Sequence, residues 1–229
     1  AGTIQAGDFK LDSSMSTQKI IEVLSSGSDT GKVTLVEGLR VEEMAQVLNK
    51  ELGIDEASFI SKAKKYEGYL FPDTYSISRD ATVDDIITLL RNNFDKKYSD
   101  DLQKKIKALG LTSAQGVVLA SIVEREGRSD AVRTQIAGIL LKRLKIGMGL
   151  NVDAAIQYAI GKQSDGSSAE GWWKRNLTHD DLKINSPYNT YLYQGLPPTP
   201  ICNPSLSSLE AVSNANSSTP YLYYYHDSK

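Results

Sequence analysis

Apolar positions along the chain change period several times, and each change marks an element. Val33-Thr34-Leu35-Val36 reads as a short strand, and Val41, Met44, Ala45 and Leu48 then fall at i, i+3, i+4 and i+7, one face of a helix. Residues 55–65 predict a second short helix. The run Gly68-Tyr69-Leu70-Phe71-Pro72-Asp73-Thr74-Tyr75 breaks the period with aromatics around a Pro-Asp turn and predicts a packed, ordered loop. Thr82 with Asp85 has the spacing of a capping box, opening one long helix that carries Ile86, Ile87, Leu90 and Phe94 inward and ends near Gly110. Thr112 and Gln115 open a strongly apolar helix (Val117, Val118, Leu119, Ile122, Val123), which Gly127 should close. This is the best candidate for a central buried helix.

A further helix follows Asp130, with Val132, Ile136, Ile139, Leu140 and Leu144 inward. Lys142, Arg143 and Lys145 sit near its C-terminus, where cations suit the helix dipole, and Gly147 and Gly149 end it. Asp153 is placed to cap a short helix reaching Ile160, and 163–171 is a Ser/Gly-rich loop. Ser207 and Glu210 suggest a capping box for a last helix over 207–212, and the Tyr-rich 221–225 reads as a strand. At the other end, 1–31 is Gly/Ser-rich with a single helical stripe of Ile20, Ile21 and Leu24 behind Ser16, closed by Ser25-Ser26-Gly27, too little for an independent core. The pattern predicts an α+β fold, helix-rich in the middle with small sheets, and shows no internal repeat.

Composition narrows the function classes. The 229 residues are 40% hydrophobic and 24% charged, a globular mix that disfavours disordered, collagen-like and coiled-coil chains. A formal net charge of -2 without long runs of like charge gives no electrostatic footprint for nucleic acid or acidic lipid. One cysteine, Cys202, and two histidines without a ligand-like spacing argue against zinc and redox chemistry, so no cofactor or metal is expected. No stretch of about 18 apolar residues occurs, and the start has neither an initiator Met nor a charged-then-apolar leader. Compartment therefore has to follow from function.

A carboxylic acid that works as a proton donor near neutral pH needs an apolar setting. Glu126 meets that condition. It lies three, four and seven residues beyond Val123, Ile122 and Leu119, so it continues their stripe at the C-terminal end of the helix, where the dipole disfavours negative charge. The plain alternative is a glutamate that ends a core helix and bends to water, paired to Arg125, Arg128 or Arg143. Glu124 lies on a more polar side, behind Ala120 and Ser121. Ser186-Pro187-Tyr188-Asn189-Thr190-Tyr191 combines amide, hydroxyl and ring groups that suit a sugar, or is an ordinary turn. Trp172-Trp173 either clamps a ligand or covers core. No G-x-S-x-G, H-E-x-x-H, phosphate loop or complete dinucleotide fingerprint is present.

The motifs, taken in order, resemble the YceG-like (MltG) family of endolytic murein transglycosylases. The matching stretches are Val36-Glu37-Gly38-Leu39-Arg40, Glu67 through Tyr75, Leu119-Ala120-Ser121-Ile122-Val123-Glu124-Arg125-Glu126, Arg143-Leu144-Lys145-Ile146-Gly147-Met148, Ser186 through Tyr191, Gly195-Leu196-Pro197-Pro198 and Thr219-Pro220-Tyr221-Leu222-Tyr223. They run over roughly residues 33–229. The resemblance implies a YceG-like catalytic domain over 32–229, a remnant of a small LysM-like subdomain over 1–31, and a last strand beyond Lys229. It implies cleavage between N-acetylmuramic acid and N-acetylglucosamine within glycan strands, leaving 1,6-anhydro ends. It places the enzyme at the cell membrane facing the wall, through an anchor ahead of Ala1, in company with wall-synthesis proteins.

Alignment of the Ser-Ile-Val-Glu-Arg-Glu segment makes Glu126 the catalytic acid. Tyr188, Asn189, Thr190, Glu124, Asp153 and Gln157 are expected to contact the substrate. The competing reading is a non-catalytic peptidoglycan-binding or wall-synthesis scaffold module.

Overall fold

The computed structural model describes residues 9, 11–25, 30–161 and 171–225. The elements, in order, are α1 (Thr17–Ser25), β1 (Thr30–Thr34), α2 (Val41–Leu52), α3 (Glu56–Ala63), β2 (Thr74–Ser78), α4 (Val83–Lys97), α5 (Asp100–Ala108), α6 (Ser113–Glu126), α7 (Asp130–Lys145), α8 (Asp153–Ile160) and α9 (Leu206–Ser213). The helix-rich α+β reading holds, and β1 and β2 form an antiparallel pair in which Val33 faces Tyr75. Strand β2 goes beyond the packed-loop expectation, which covered only its first two residues. Its alternating burial, with Tyr75 and Ile77 inward, is the period-2 pattern of a half-buried strand. The expected boundary between 31 and 32 falls inside β1. Helix α1 contributes no buried residue, and most of the remainder of 1–31 lies outside the described residues.

Two apolar cores result. The first packs β1, β2, α2, α3 and the start of α4 around Met44, Leu48, Phe59, Leu70, Ile86 and Leu90. The second surrounds α6, buried from Gly116 through Val123, with α5, α7, α8 and α9 against it. Helix α4 reaches both, since Phe94 joins the second core and meets Tyr69 and Tyr98 edge-on and tilted at 5.1 and 5.4 Å.

Several local expectations are corrected. The helix that begins at Thr82 does not reach Gly110. Ser99 accepts from Leu102 N and starts α5 anew, because a hydroxyl at an N-cap competes with continuation of the preceding helix. Val132 is 40% exposed, since the burial of α7 begins only at Ile136. Asp153 opens α8 without capping it. The last helix is capped by Ser205, whose side chain accepts from Ser208 N, two residues ahead of the expected box. Gly127 ends α6 in extended backbone (φ -105°) rather than as a left-handed cap. Its lack of a side chain serves packing: a Cβ there would lie 2.4 Å from Arg133 Cγ. Residues 221–225 form no strand, because their chain is held by side chains of α7 instead of by another strand.

The cores are joined by a buried polar node. Asn203 accepts from Gly68 N and Leu70 N at 2.9 and 3.0 Å and donates from Nδ2 to Leu39 O and Glu67 Oε1 at 3.0 and 3.1 Å. Glu67 also receives Val41 N and Lys64 Nζ, both at 3.1 Å. Close approach makes this possible at Gly68 (φ +86°), where a Cβ would fall 2.3 Å from Pro200. Beside the node, Arg40 is buried and its guanidinium stacks on Tyr158 and Trp172, 4.2 and 4.8 Å from the ring centres. Trp173 donates to Glu43 and lies 3.8 Å from the Arg125 guanidinium. The tryptophan pair thus covers the α2–α6 junction.

Asn203→Ala would leave the Gly68 and Leu70 N–H groups without their acceptor at this junction, and should lower unfolding free energy by about 2 kcal/mol or more in urea titrations. Burial pushes the Glu67 carboxyl above its ordinary 4.5, with Lys64 as the main opposing influence. Its contribution is therefore complete below that ordinary value and is lost as pH rises through the folded one. Relative to Glu67→Gln, the unsubstituted protein should gain stability on going from pH 7 to pH 5; a constant difference would refute the assignment.

Candidate active site

Glu126 is the last residue of α6, carried to the edge of the second core by the most buried helix of the molecule. Four groups from later in the chain gather at this end. Tyr224 is hydrogen-bonded to the Glu126 side chain, and burial, reinforced by the Glu126 charge, holds its phenol far above the ordinary tyrosine range. Tyr191 donates to Asp153 Oδ1 at 2.5 Å. Its phenol is likewise raised, first by burial and then by the Asp153 bond and the charges of Asp153 and Glu126. Both tyrosines therefore stay protonated donors through the neutral range.

Arg143 organises the cluster from beneath. It is only 5% exposed, donating through Nε to Leu222 O at 2.8 Å and through a terminal nitrogen to Leu150 O at 2.6 Å. Lys142 Nζ donates to Thr219 O at 2.7 Å, so α7 ties down the 219–224 segment that delivers Tyr224. Asp153 stands one turn before Gln157, whose Nε2 donates to Lys174 O at 2.8 Å.

The remaining expected residues divide. Tyr188 is partly exposed, with its hydroxyl 2.6 Å from Thr199 Oγ1 and its ring 4.9 Å from that of Tyr158. Asn189 is fully buried: Nδ2 donates to Leu182 O and Ile184 O, both at 2.9 Å, and Oδ1 accepts from Tyr191 N at 3.0 Å. Thr190 is buried too, its hydroxyl accepting from Val152 N at 2.9 Å. Glu124 pairs with Arg133 at 2.9 Å and accepts from Ser205 N at 2.8 Å. The structure turns the polar atoms of Asn189, Thr190 and Glu124 toward the protein itself. Their polar atoms are engaged in shaping the loop and in joining α6 to α7 and α9. A short polar side chain in a tight turn satisfies its own backbone first.

Arg143, Tyr191 and Tyr224 were not singled out from sequence as site residues. For Arg143 the signal existed: it lies three, four and seven residues beyond Leu140, Ile139 and Ile136, on the buried stripe of α7. Nothing in Tyr-Leu-Tyr-Tyr-Tyr distinguishes Tyr224 from its neighbours. Cys202 is fully buried, burial pushes its thiol well up, and Sγ contacts Ser121 O at 3.2 Å. No metal-binding group of three or more His, Cys, Asp or Glu occurs among the described residues.

Fold and site define a helix-rich α+β protein in which a half-buried carboxylate is framed by neutral phenols and a buried guanidinium. The chain belongs to the YceG-like family, which it matches over residues 1–229. It is 32% identical to an endolytic murein transglycosylase of Bacillus subtilis over 98% of this chain and 67% of that relative. It is 31% identical to the endolytic murein transglycosylase of Streptococcus pneumoniae, again over 98% of this chain but 47% of the relative. A crystal structure of a yceG-like protein from Listeria monocytogenes superposes with a TM-score of 0.76 at 26% identity, over 98% of this chain and 80% of that one.

Arg143→Met should release Leu222 and the residues after it from α7, leaving the Lys142 bond to Thr219 O as the remaining tie. Loss of two buried charge-assisted hydrogen bonds should cost about 2–4 kcal/mol. Limited chymotrypsin digestion of the native variant should cut at the Tyr-rich segment faster than in the unsubstituted protein. Equal digestion rates would contradict the anchoring role.

Proposed function

We propose that this protein is a lytic transglycosylase that cleaves the bond between N-acetylmuramic acid and N-acetylglucosamine within peptidoglycan strands. The observation that carries the reading is the placement of Glu126 at the exposed end of a buried helix with the Tyr224 phenol on its carboxyl, in a chain whose relatives are named endolytic murein transglycosylases. In this reading the Glu126 carboxyl gives its proton to the glycosidic oxygen as the C1–O bond breaks. The N-acetyl oxygen of the muramic ring supports the electron-poor C1. The Glu126 carboxylate then takes the proton from the C6 hydroxyl, and O6 bonds to C1. A 1,6-anhydro ring forms, no water is consumed, and the glutamate returns to its starting state.

Tyr224 orients the carboxyl in both steps, while Asp153 and Tyr191 offer hydrogen-bonding groups to the sugar rim. In this reading Tyr188 and Gln157 also contact the glycan. The substrate lies outside the cell membrane, so the catalytic domain faces the wall there, anchored and in contact with wall-synthesis proteins. No single helix among the described residues is long and apolar enough to cross a membrane.

Mass analysis of fragments released from purified sacculi should find 1,6-anhydromuramic ends; reducing muramic ends as the main product would indicate a hydrolase. Glu126→Gln keeps volume but cannot shuttle a proton. It should abolish release, a loss on the order of a thousandfold or more, with an unchanged melting curve. If the unsubstituted protein binds glycan and releases nothing, the binding-module reading replaces this one.

The role of Glu124 is different. Glu124→Gln weakens the link to Arg133 and Ser205 and should destabilise the fold by about 1–3 kcal/mol, yet leave turnover largely intact below its melting range. Loss of turnover at unchanged stability would place the acid two residues earlier.

A further inference from the structure

The tryptophan pair sits on a short strap, residues 171–174, that touches both α6 and α8, the helices that carry Glu126 and Asp153. The Trp173 ring lies over the Arg125 guanidinium, 3.8 Å from ring centre to Cζ, the shortest cation–ring distance among the described residues. One residue on, Lys174 O accepts from Gln157 Nε2 at 2.8 Å, one turn beyond Asp153 on α8. Two further contacts hold the strap in place. Trp173 Nε1 donates to Glu43 of α2 at 3.0 Å, and Lys174 Nζ pairs with Asp181 at 2.8 Å.

Arg125 immediately precedes Glu126 in the last turn of α6, and that turn is the least supported part of the helix. Burial of α6 stops at Val123, so the residues after it are held by polar contacts and not by the core. The carbonyls of a last turn have no partner within the helix. Gly127 leaves in extended backbone, its N–H donating to Val123 O at 2.8 Å. Glu124 is tied to Arg133 and Ser205, on the side of α6 away from Glu126. Arg125 supplies the tie toward α2. Besides the Trp173 ring, its terminal nitrogen lies 3.5 Å from Gly38 O, and a Cβ on Gly38 would fall 3.3 Å from that nitrogen. The Gly38 N–H donates to Asn203 O at 3.0 Å, so the same residue belongs to the junction between the cores.

We infer that Arg125 and Trp173 are positioning residues for Glu126: the stacked pair fixes the last turn of α6 against α2 and α8, and so fixes where the Glu126 carboxyl stands. A planar guanidinium on an indole face is constrained in tilt as well as in distance, which a lone ion pair at the surface is not. Neither side chain has to touch the glycan. Proton transfer is steep in geometry, and misplacing the reacting groups by about 1 Å costs about a hundredfold in rate. Contacts to the strand made by other residues persist when the turn loosens, so the loss falls on kcat and not on KM. The inference rests on the transglycosylase reading of the Glu126 site.

The test uses the full chain with purified sacculi as substrate. Trp173→Ala and Arg125→Ala should each lower kcat about tenfold or more while KM changes less than about twofold. The double variant should lose no more than the worse single one, because both remove the same contact. Trp173→Phe keeps a ring face for Arg125 and should recover most of the rate. Phe59→Leu, in the first core, should lower the melting temperature without that loss of kcat, which separates positioning from general stability. Amide exchange gives a readout besides activity: the Gly127 N–H should exchange about tenfold faster in both alanine variants, with residues 119–122 unchanged. If Trp173→Ala is unfolded by circular dichroism, Arg125→Ala, at an exposed position, decides. Unchanged kcat in Arg125→Ala, a loss carried by KM, or additive losses in the double variant each overturn the inference. An unsubstituted protein that releases nothing from sacculi, with Gly127 exchange still faster in the variants, overturns the transglycosylase reading and keeps the anchored turn.

Discussion

The buried hydrogen-bonding node between Glu67 and Asn203 is the constraint on which the rest of the structure depends. Two apolar cores, one built on β1, β2, α2 and α3 and the other on α6, otherwise meet through α4, the Arg40–Tyr158 stack and loops. Asn203 joins three separate stretches of chain, at Leu39, at 67–70 and at its own position before α9, and it does so with every polar atom of its side chain. A buried carboxylate is costly unless it is paired and fully bonded, so Glu67 tolerates only the arrangement in which Val41 N, Lys64 and Asn203 all reach it. An apolar contact of equal area would permit sliding. The polar node admits one register, and that register sets where α9, and through Ser205 and Glu124 the end of α6, must lie.

The same logic recurs at the site. Helix α6 brings Glu126 to the surface, but nothing within α6 fixes what stands opposite. That task falls to Arg143, whose guanidinium bonds two backbone carbonyls, Leu150 O and Leu222 O, belonging to the segments that lead into Asp153 and Tyr224. A lysine has no planar fork with which to serve two such acceptors at once. The cluster is thus assembled from four distant parts of the sequence by one buried cation, in the way the two cores are assembled by one buried amide.

What was legible in the sequence follows from this division. Elements whose formation is local were readable: the α6 stripe, its end at Glu126 and the Thr82 and Thr112 capping boxes come from spacing alone. Elements decided by tertiary contacts were not. Residues 221–225 have strand propensity, yet Arg143 takes the Leu222 carbonyl and Lys142 the Thr219 carbonyl just ahead of them, and propensity yields to those bonds. Asn189 has the composition of a binding residue but lies inside, because a turn that buries its own carbonyls at Leu182 and Ile184 needs an amide to satisfy them. Ser99 divides what reads as one helix, since a capping hydroxyl outweighs a continuous apolar stripe. The general lesson is that polar residues in turns have two employers, the backbone and the ligand, and sequence does not say which is nearer.

A carboxyl that must give up a proton and recover another within one turnover needs neighbours that do not exchange protons with it. The composition of the cluster meets that need. Tyr224 and Tyr191 are held as neutral phenols by burial and by the carboxylates beside them, so they donate hydrogen bonds without competing for protons. Arg143 is permanently charged, and its Nε and one terminal nitrogen donate to backbone carbonyls, which holds its charge beside the site. Asp153, the other carboxylate of the cluster, has its Oδ1 occupied by Tyr191. On the proposed transglycosylase reading, such a prearranged network of donors around Glu126 is what a single glutamate acting as acid and then as base requires.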